Sequence, residues 1–157
     1  MFDETEIQQD LRAAAREAAR SILGPTLEED DETESFRKDL FHALGEAGLC
    51  GIPTSEEHGG LGLGYVEYAI VLEEIARVSA SWAVTVAVSG LPQIILSMYG
   101  SAAQQDRWLP GLAAGELLGA FALSEPEAGS DAGSLATTAT LDGDHYVLNG
   151  TKFWITS

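Results

Sequence analysis

The chain has 157 residues, enough to bury one good core and part of a second. With 25 acidic and 8 basic side chains and a pI near 4.2, it is poorly suited to bind nucleic acid or an anionic membrane. A single cysteine, Cys50, excludes an internal disulfide, fits a reducing compartment and, among apolar neighbours, indicates a core position.

The acidic N-terminus, Met1 to Glu6, lacks the apolar centre of a signal peptide and the arginines of a transit peptide. The most apolar run, Trp82 to Met98, is interrupted by Gly90, Pro92 and Gln93, and is predicted to be too short and too broken to span a membrane. We therefore expect a soluble, cytoplasmic protein without membrane insertion.

A capping-box pattern, Thr5 to Gln8, predicts the start of a first helix, and Gly24-Pro25 predicts its end. The run of six acidic side chains from Glu28 to Glu34 is predicted to be a solvated linker, and a second helix is predicted from about Ser35 to Gly48. The first helix has five apolar residues at helical spacing, which predict its buried face: Ile7, Leu11, Ala14, Ala18 and Ile22.

A glycine-rich loop, 49–64, separates these helices from a third helix predicted at Tyr65 to Ser79. Its Glu73 and Arg77 are spaced to form a surface ion pair. Its inward face is predicted to contain Val66, Ala69, Ile70 and Ala76.

A buried helix is predicted to start at Ser81, to break at Gly90 and Pro92, and to resume as far as Tyr99. A second capping box, Ser101 to Gln104, then predicts a last helix that ends near Gly115.

After Gly115 the apolar pattern changes to one typical of strands, predicted at 117–123, 135–141, 145–148 and 151–156 as an antiparallel meander. The predicted fold class is therefore α+β, with an all-α domain at 1–116 and the first strands of a β domain at 117–157. Because a few strands with an open edge make a poor domain, we expect the remainder of the β domain to come from further polypeptide.

The segment Phe121-Ala-Leu-Ser-Glu-Pro-Glu-Ala-Gly-Ser-Asp131 joins an apolar run to a tight polar loop. Gly129 is predicted to adopt a positive φ, and a glycine-containing turn directs backbone N–H groups into one concavity that suits a phosphate or a ring edge. The pattern alone favours an exposed acidic turn after a strand.

A second stretch, Lys152-Phe-Trp-Ile-Thr156, favours the ligand-binding interpretation. Together the two segments resemble the flavin motifs of the acyl-CoA dehydrogenase family, whose first motif has the form Leu-Ser/Thr-Glu-Pro-x-Ala-Gly-Ser-Asp. The likeness covers nearly the whole chain, through 48–53, 56–64, 99–101 and 109–116, and is least distinctive over the first 35 residues. Glu127 departs from the family's usual glycine.

This resemblance implies an FAD-dependent enzyme that oxidises acyl-CoA thioesters to trans-2-enoyl-CoA in fatty acid metabolism. It implies that Ser124 bonds the flavin ring, that Ser130 contacts the pyrophosphate and the substrate's thioester end, that Trp154 packs on the flavin, and that Thr156 donates near the ring nitrogen N5. The full set of cofactor-binding residues it implies is Phe121, Ala122, Leu123, Ser124, Gly129, Ser130, Trp154, Ile155 and Thr156.

In the family the catalytic base, a glutamate, lies in a C-terminal four-helix bundle that this sequence lacks, so we assign no catalytic residue here. Glu125 is interpreted as structural, Glu127 as solvent-facing, and Asp131 as a brace or N-cap of the turn, since carboxylates repel a diphosphate. The three histidines lack ligand spacing, and no metal is predicted.

The resemblance further implies a complementary C-terminal portion, a homo- or hetero-oligomer and an electron-transfer acceptor. Two alternatives stay open: a flavin-dependent oxidase or monooxygenase of the same fold, and a non-catalytic scaffold subunit. Oxygen reactivity of the reduced flavin distinguishes the first alternative, while the retained hydroxyls and tryptophan argue against the second.

Overall fold

The computed structural model describes residues 3–157. A helical part comes first, followed by a short two-stranded antiparallel sheet, so the predicted α+β class is confirmed. The elements are α1 (Glu6–Leu23), α2 (Leu27–Glu32), α3 (Lys38–Glu46), α4 (Tyr65–Val78), α5 (Ala80–Tyr99), α6 (Ala102–Ala113), β1 (Thr138–Asp142) and β2 (His145–Asn149). Short 3₁₀ turns lie at Glu56–His58 and Ala132–Ser134.

Both predicted capping boxes are confirmed, at the starts of α1 and α6. In the first, the Thr5 hydroxyl accepts from the Gln8 N–H at 3.3 Å and the Gln8 side chain accepts from the Thr5 N–H at 3.0 Å. The helix ends at Leu23, as Gly24-Pro25 predicted. Its buried face, however, is Ala15, Ala19 and Leu23. All five predicted positions are exposed or only half-buried: Ile7, Leu11, Ala14, Ala18 and Ile22.

The predicted inward face of α4 is confirmed only at Ile70 and is wrong at the other three positions. Val66, Ala69 and Ala76 are exposed, and the buried side is formed by Tyr68, Ile70, Val71, Glu74 and Ile75. A buried carboxylate explains the difference, because Glu74 accepts hydrogen bonds from Arg12 at 2.7 Å and Arg16 at 2.8 Å on α1. The predicted Glu73–Arg77 surface pair is confirmed at 3.1 Å.

The acidic run is not the linker that was predicted. Most of it forms α2, whose first turn carries Glu28, Glu29 and Asp30. Carboxylates are favoured there because the N-terminus of a helix carries partial positive charge, and the Asp30 carboxylate also accepts from the Thr26 hydroxyl at 2.7 Å. The next helix, α3, begins at Lys38, three residues later than predicted.

The predicted break in α5 does not occur, since this helix runs unbroken through Gly90 and Pro92. Its N-cap is Ser79 rather than Ser81. A buried side chain stabilises the region of the proline: the Gln93 amide donates to Cys50 O at 3.0 Å and Ser89 O at 3.3 Å. By length and composition alone α5 is long and apolar enough to cross a membrane, a test that core helices of soluble proteins also pass. One third of its most apolar stretch is buried inside the protein.

The hydrophobic core lies among α1, α3, α4 and α5. Cys50 is buried there, as predicted, and burial raises the pKa of its thiol to about 12. The fully or nearly fully buried side chains of this core include Leu23, Phe41, Leu44, Ile52, Val71, Ile75 and Val86.

The predicted four-stranded meander is reduced to one hairpin. Strand β1 pairs with β2 from Thr138 opposite Asn149 to Asp142 opposite His145, and every hairpin residue is exposed. Residues 117–123 and 151–156 form no strand within the range that the structure covers. The second of these turns away from the hairpin, because Trp154 adopts a φ of 57° and the Phe153 N–H donates to Ser124 O at 2.8 Å instead.

Candidate functional site

The two motif segments, Phe121–Asp131 and Lys152–Thr156, lie in direct contact. Their backbones are joined by the Phe153 N–H, which donates to Ser124 O at 2.8 Å. One residue earlier, the Lys152 ammonium donates to Leu123 O at 2.9 Å. Two stretches almost thirty residues apart in sequence therefore form one continuous surface.

Glu125 is the anchor of this contact. Its carboxylate accepts from the Lys152 ammonium at 2.8 Å and from the backbone N–H groups of Ala136 and Thr137 at 2.7 and 3.0 Å. The hydrogen bond from Lys152, supported by those from Thr137 and Ala136, lowers the pKa of Glu125 to about 2. A carboxylate so held is a structural group rather than a base, as predicted.

The turn after Glu125 is closed by backbone bonds in both directions between Glu125 and Ala128, at 2.8 and 3.2 Å. The predicted positive φ of Gly129 is wrong: within residues 3–157, Gly129 is not among the residues with positive φ, and a Cβ there would meet open space. The closed bridge at Ala128 explains this, because it makes the tight turn one residue earlier.

Asp131 braces the end of the turn, as predicted. It is the N-cap of the 3₁₀ turn Ala132–Ser134 and accepts from the Gly133 N–H at 3.2 Å and the Ser134 hydroxyl at 2.5 Å. Glu127 is exposed, again as predicted.

The nine predicted cofactor-binding residues remain largely uncovered. Trp154 is 87% exposed and Phe121 37%, and Phe153 packs edge-on against Trp154 at a centroid distance of 5.2 Å. Leu123, Ser124 and Ile155 are half-buried, whereas Ala122, Gly129, Ser130 and Thr156 are exposed. In the described part of the chain the hydroxyls of Ser124, Ser130 and Thr156 have no hydrogen-bond partner. The surface therefore combines an aromatic face with free hydroxyl groups.

The helical part holds the beginning of this surface in place through Gly119. The Gly119 N–H donates to the hydroxyl of Ser89 on α5 at 2.9 Å, and both residues are buried. A Cβ at Gly119 would approach Pro92 Cγ to 3.1 Å and Leu112 Cδ2 to 3.3 Å, so only glycine fits without displacement. Sequence reasoning missed this contact, and a glycine inside the apolar run was its only signal.

An apolar hollow of about 460 Å³ adjoins the Phe121 end of the surface. Its walls come from α5, α6 and the segment that leads to the motif: Pro92, Ile95, Leu96, Trp108, Leu112, Leu117, Leu118, Ala120 and Phe121.

A second apolar surface runs along α5. Its residues recur at intervals of four, three, four and three, the spacing of a helix face that packs on another helix. They are Val84, Val88, Leu91, Ile95 and Met98; Val88 is half-buried and the other four are 38–61% exposed. We call this set the α5 stripe.

Comparisons with known proteins agree with this architecture. Residues 5–116 match the family model "Acyl-CoA dehydrogenase, N-terminal domain" and residues 120–157 match "Acyl-CoA dehydrogenase, middle domain". The short-chain specific acyl-CoA dehydrogenase of Clostridium acetobutylicum is 38% identical, over 99% of this chain and 41% of that protein.

Two solved structures have the same fold. The glutaryl-coenzyme A dehydrogenase in its glutaryl-CoA complex superposes with a TM-score of 0.92 at 34% identity, over 99% of this chain and 40% of that one. Glutaryl-CoA dehydrogenase from Mycobacterium smegmatis in complex with FADH2 gives 0.90 at 31% identity, over 97% and 39%. This chain belongs to the acyl-CoA dehydrogenase family, and it spans about two fifths of the length of these relatives.

Proposed function

We propose that this chain supplies one wall of the flavin site of an FAD-dependent acyl-CoA dehydrogenase, which oxidises an acyl-CoA thioester to the trans-2-enoyl-CoA. The observation that carries the proposal is the contact between the two motif segments, which joins the backbone of Ser124 to that of Phe153, the neighbour of the exposed Trp154. Relatives that bind FADH2 or glutaryl-CoA support the choice of cofactor and substrate class.

The residues present fit a flavin. An indole face suits a planar, electron-poor ring, and fixed hydroxyl and N–H donors suit its polar edge. Ser124 and Thr156 would donate to the ring, Trp154 would pack on it, and Ser130 would contact the pyrophosphate and the thioester end of the substrate. Of the nearby carboxylates, Glu125 has its charge offset by Lys152, and the Asp131 carboxylate is directed toward its own turn.

When bound, the flavin would supply the acceptor for the hydride that leaves the β carbon of the substrate. This chain's residues would hold the ring in place and stabilise the charge that it gains. The proton on the α carbon would be removed by a glutamate outside this chain, since Glu125, the buried carboxylate beside the site, is committed to three hydrogen bonds.

We therefore propose a division into a helical domain at 1–116 and a partial β domain at 117–157, completed by a complementary portion that brings the base. The α5 stripe supports this proposal, because its spacing suits packing against further helices. We call this chain together with that portion the assembled protein. An oligomer, a separate electron-transfer acceptor and a cytoplasmic location stay predictions.

Two substitutions in the assembled protein test the proposal. Trp154→Ala is expected to weaken FAD binding roughly three- to tenfold, the effect of losing one aromatic stacking contact. Thr156→Val is expected to slow flavin reduction by acyl-CoA with little change in fold. Tyr146→Ala and Thr140→Val, at exposed hairpin positions, are the matched controls.

FAD content is measured by absorbance after desalting, and reduction by stopped-flow mixing with acyl-CoA under anaerobic conditions. Flavin content and reduction rates equal to wild type in both test variants would refute the assignment of these residues.

A further inference from the structure

The chain has only two lysines, and they lie in opposite settings. Lys38 is exposed at the start of α3. The Lys152 side chain is only 25% exposed, and its ammonium donates both to Leu123 O at 2.9 Å and to Glu125 at 2.8 Å. In a chain of net charge −17 that retains so few lysines, one of them is placed between the two motif segments.

The bond to Leu123 O has a geometric consequence for Ser124. A peptide unit is planar and trans, so its C=O and N–H groups point in opposite directions. By holding the Leu123 carbonyl, Lys152 directs the N–H of Ser124 away from the ammonium group. The next carbonyl, Ser124 O, is held by the Phe153 N–H at 2.8 Å. Two successive peptide planes are thus fixed, and the Ser124 N–H donates to no acceptor within residues 3–157.

Glu125 makes this arrangement possible at a site that is mostly shielded from water. A partly buried ammonium group is stabilised when an opposite charge and further hydrogen bonds surround it. The Glu125 side chain, 6% exposed, provides that charge and is itself held by the N–H groups of Ala136 and Thr137. Without Lys152, Glu125 would keep these two backbone bonds, so the hairpin would stay anchored.

We propose that Lys152 is a positioning residue for the cofactor: by holding the Leu123 carbonyl, it orients the free N–H of Ser124 as a donor to the flavin ring. This inference rests on the flavin site proposed above and adds a residue that bonds the backbone instead of touching the ring. The two residues have different roles. Lys152 orients the Ser124 N–H, whereas Glu125 holds both the Lys152 ammonium group and the start of the hairpin.

The test uses the assembled protein with Lys152→Met, which keeps most of the aliphatic stem and removes both bonds. Lys38→Met is the matched control, since it makes the same change in charge at an exposed position. Lys152→Met is expected to raise the FAD dissociation constant about tenfold, because the Leu123 carbonyl is released and the hydrogen bond from the Ser124 N–H to the ring is weakened. It is also expected to shift the visible absorption of the bound flavin. Lys152→Arg, which keeps the positive donor, is expected to restore most of the affinity.

Hydrogen exchange separates positioning from general damage. The N–H groups of Ala136 and Thr137 are expected to keep their protection in Lys152→Met and to lose it in Glu125→Gln, whose neutral amide is the weaker acceptor. If Lys152→Met exposes these two amides as Glu125→Gln does, the lysine acts through the hairpin and the inference is wrong.

Two further outcomes would overturn the inference, and they are distinguishable. If Lys152→Met matches Lys38→Met in affinity and spectrum while wild type carries FAD, the positioning role fails and the proposed function stands. If the wild-type assembled protein binds no FAD, the proposed function itself fails.

Discussion

Replacing Ser89 by alanine removes the acceptor that connects α5 to the segment leading into the proposed flavin surface. The Gly119 N–H would lose a bond of 2.9 Å, and the space left by one oxygen atom is too small for a water molecule. An unpaired buried N–H costs about 1–3 kcal/mol. Gly119 has little freedom to find another partner, because it already lies against Pro92 and Leu112.

This free energy predicts that hydrogen exchange at the Gly119 amide accelerates roughly tenfold to a hundredfold in Ser89→Ala, since about 1.4 kcal/mol corresponds to a factor of ten. The assay is exchange mass spectrometry on the peptide that covers Leu117 to Phe121 in the assembled protein. Ser97→Ala is the control, because Ser97 is an exposed serine of the same helix. Equal exchange in the two variants would refute the role given to Ser89.

Two predictions concern groups away from the flavin surface. Hydrogen bonds from Arg16 and Arg12 lower the pKa of Glu74 to about 2 from an ordinary value of 4.5, so its contribution to the free energy of unfolding is present above pH 4.5 and is lost as the pH falls toward 2. Glu74→Gln is expected to lower the free energy of unfolding by about 2 kcal/mol at neutral pH and to make it less dependent on pH in acid. Glu73→Gln, at a half-exposed neighbour, is expected to change it little. The same dependence of stability on pH in both variants would contradict the role of Glu74. Since burial raises the pKa of the Cys50 thiol to about 12, a thiol reagent at pH 8 is expected to label Cys50 only after unfolding, and rapid labelling of the folded protein would contradict this.

The features that the sequence predicted well are those set by neighbouring residues. The capping boxes at Thr5 and Ser101 satisfy orphan N–H groups within one turn, and Gly24-Pro25 ends α1 because proline has no N–H with which to continue the helix. Glu125 and Asp131 were recognised as structural because like charges near a diphosphate repel. The caps, the helix end and the Asp131 turn need no knowledge of the tertiary fold, whereas the partner of Glu125, Lys152, lies 27 residues away and was not predicted.

The features that the sequence missed depend on distant partners. Pro92 was predicted to break α5, but packing and the amide of Gln93 keep the helix continuous. The inward face of α4 was misplaced because a charged residue, Glu74, is buried against arginines some sixty positions away. The roles of Ser89 and Lys152 were equally invisible, since each acts on a backbone group far along the chain.

The predicted strands failed for a related reason. Residues 117–123 have a strand-like composition, but a strand exists only where a neighbouring strand accepts its hydrogen bonds. In the described range, Ser124 receives a single backbone bond, from Phe153, rather than a ladder. The composition of residues 117–123 therefore indicated an extended segment, but it could not show which other segment accepts its hydrogen bonds.

The most direct test of the proposed function is the visible spectrum of the assembled protein before and after anaerobic addition of a panel of acyl-CoA thioesters. We predict a flavin absorption band that at least one member of the panel bleaches, with weaker flavin retention in Trp154→Ala. A colourless protein, or a flavin spectrum that no acyl-CoA changes, would contradict the proposal that these two segments form the wall of an acyl-CoA dehydrogenase site.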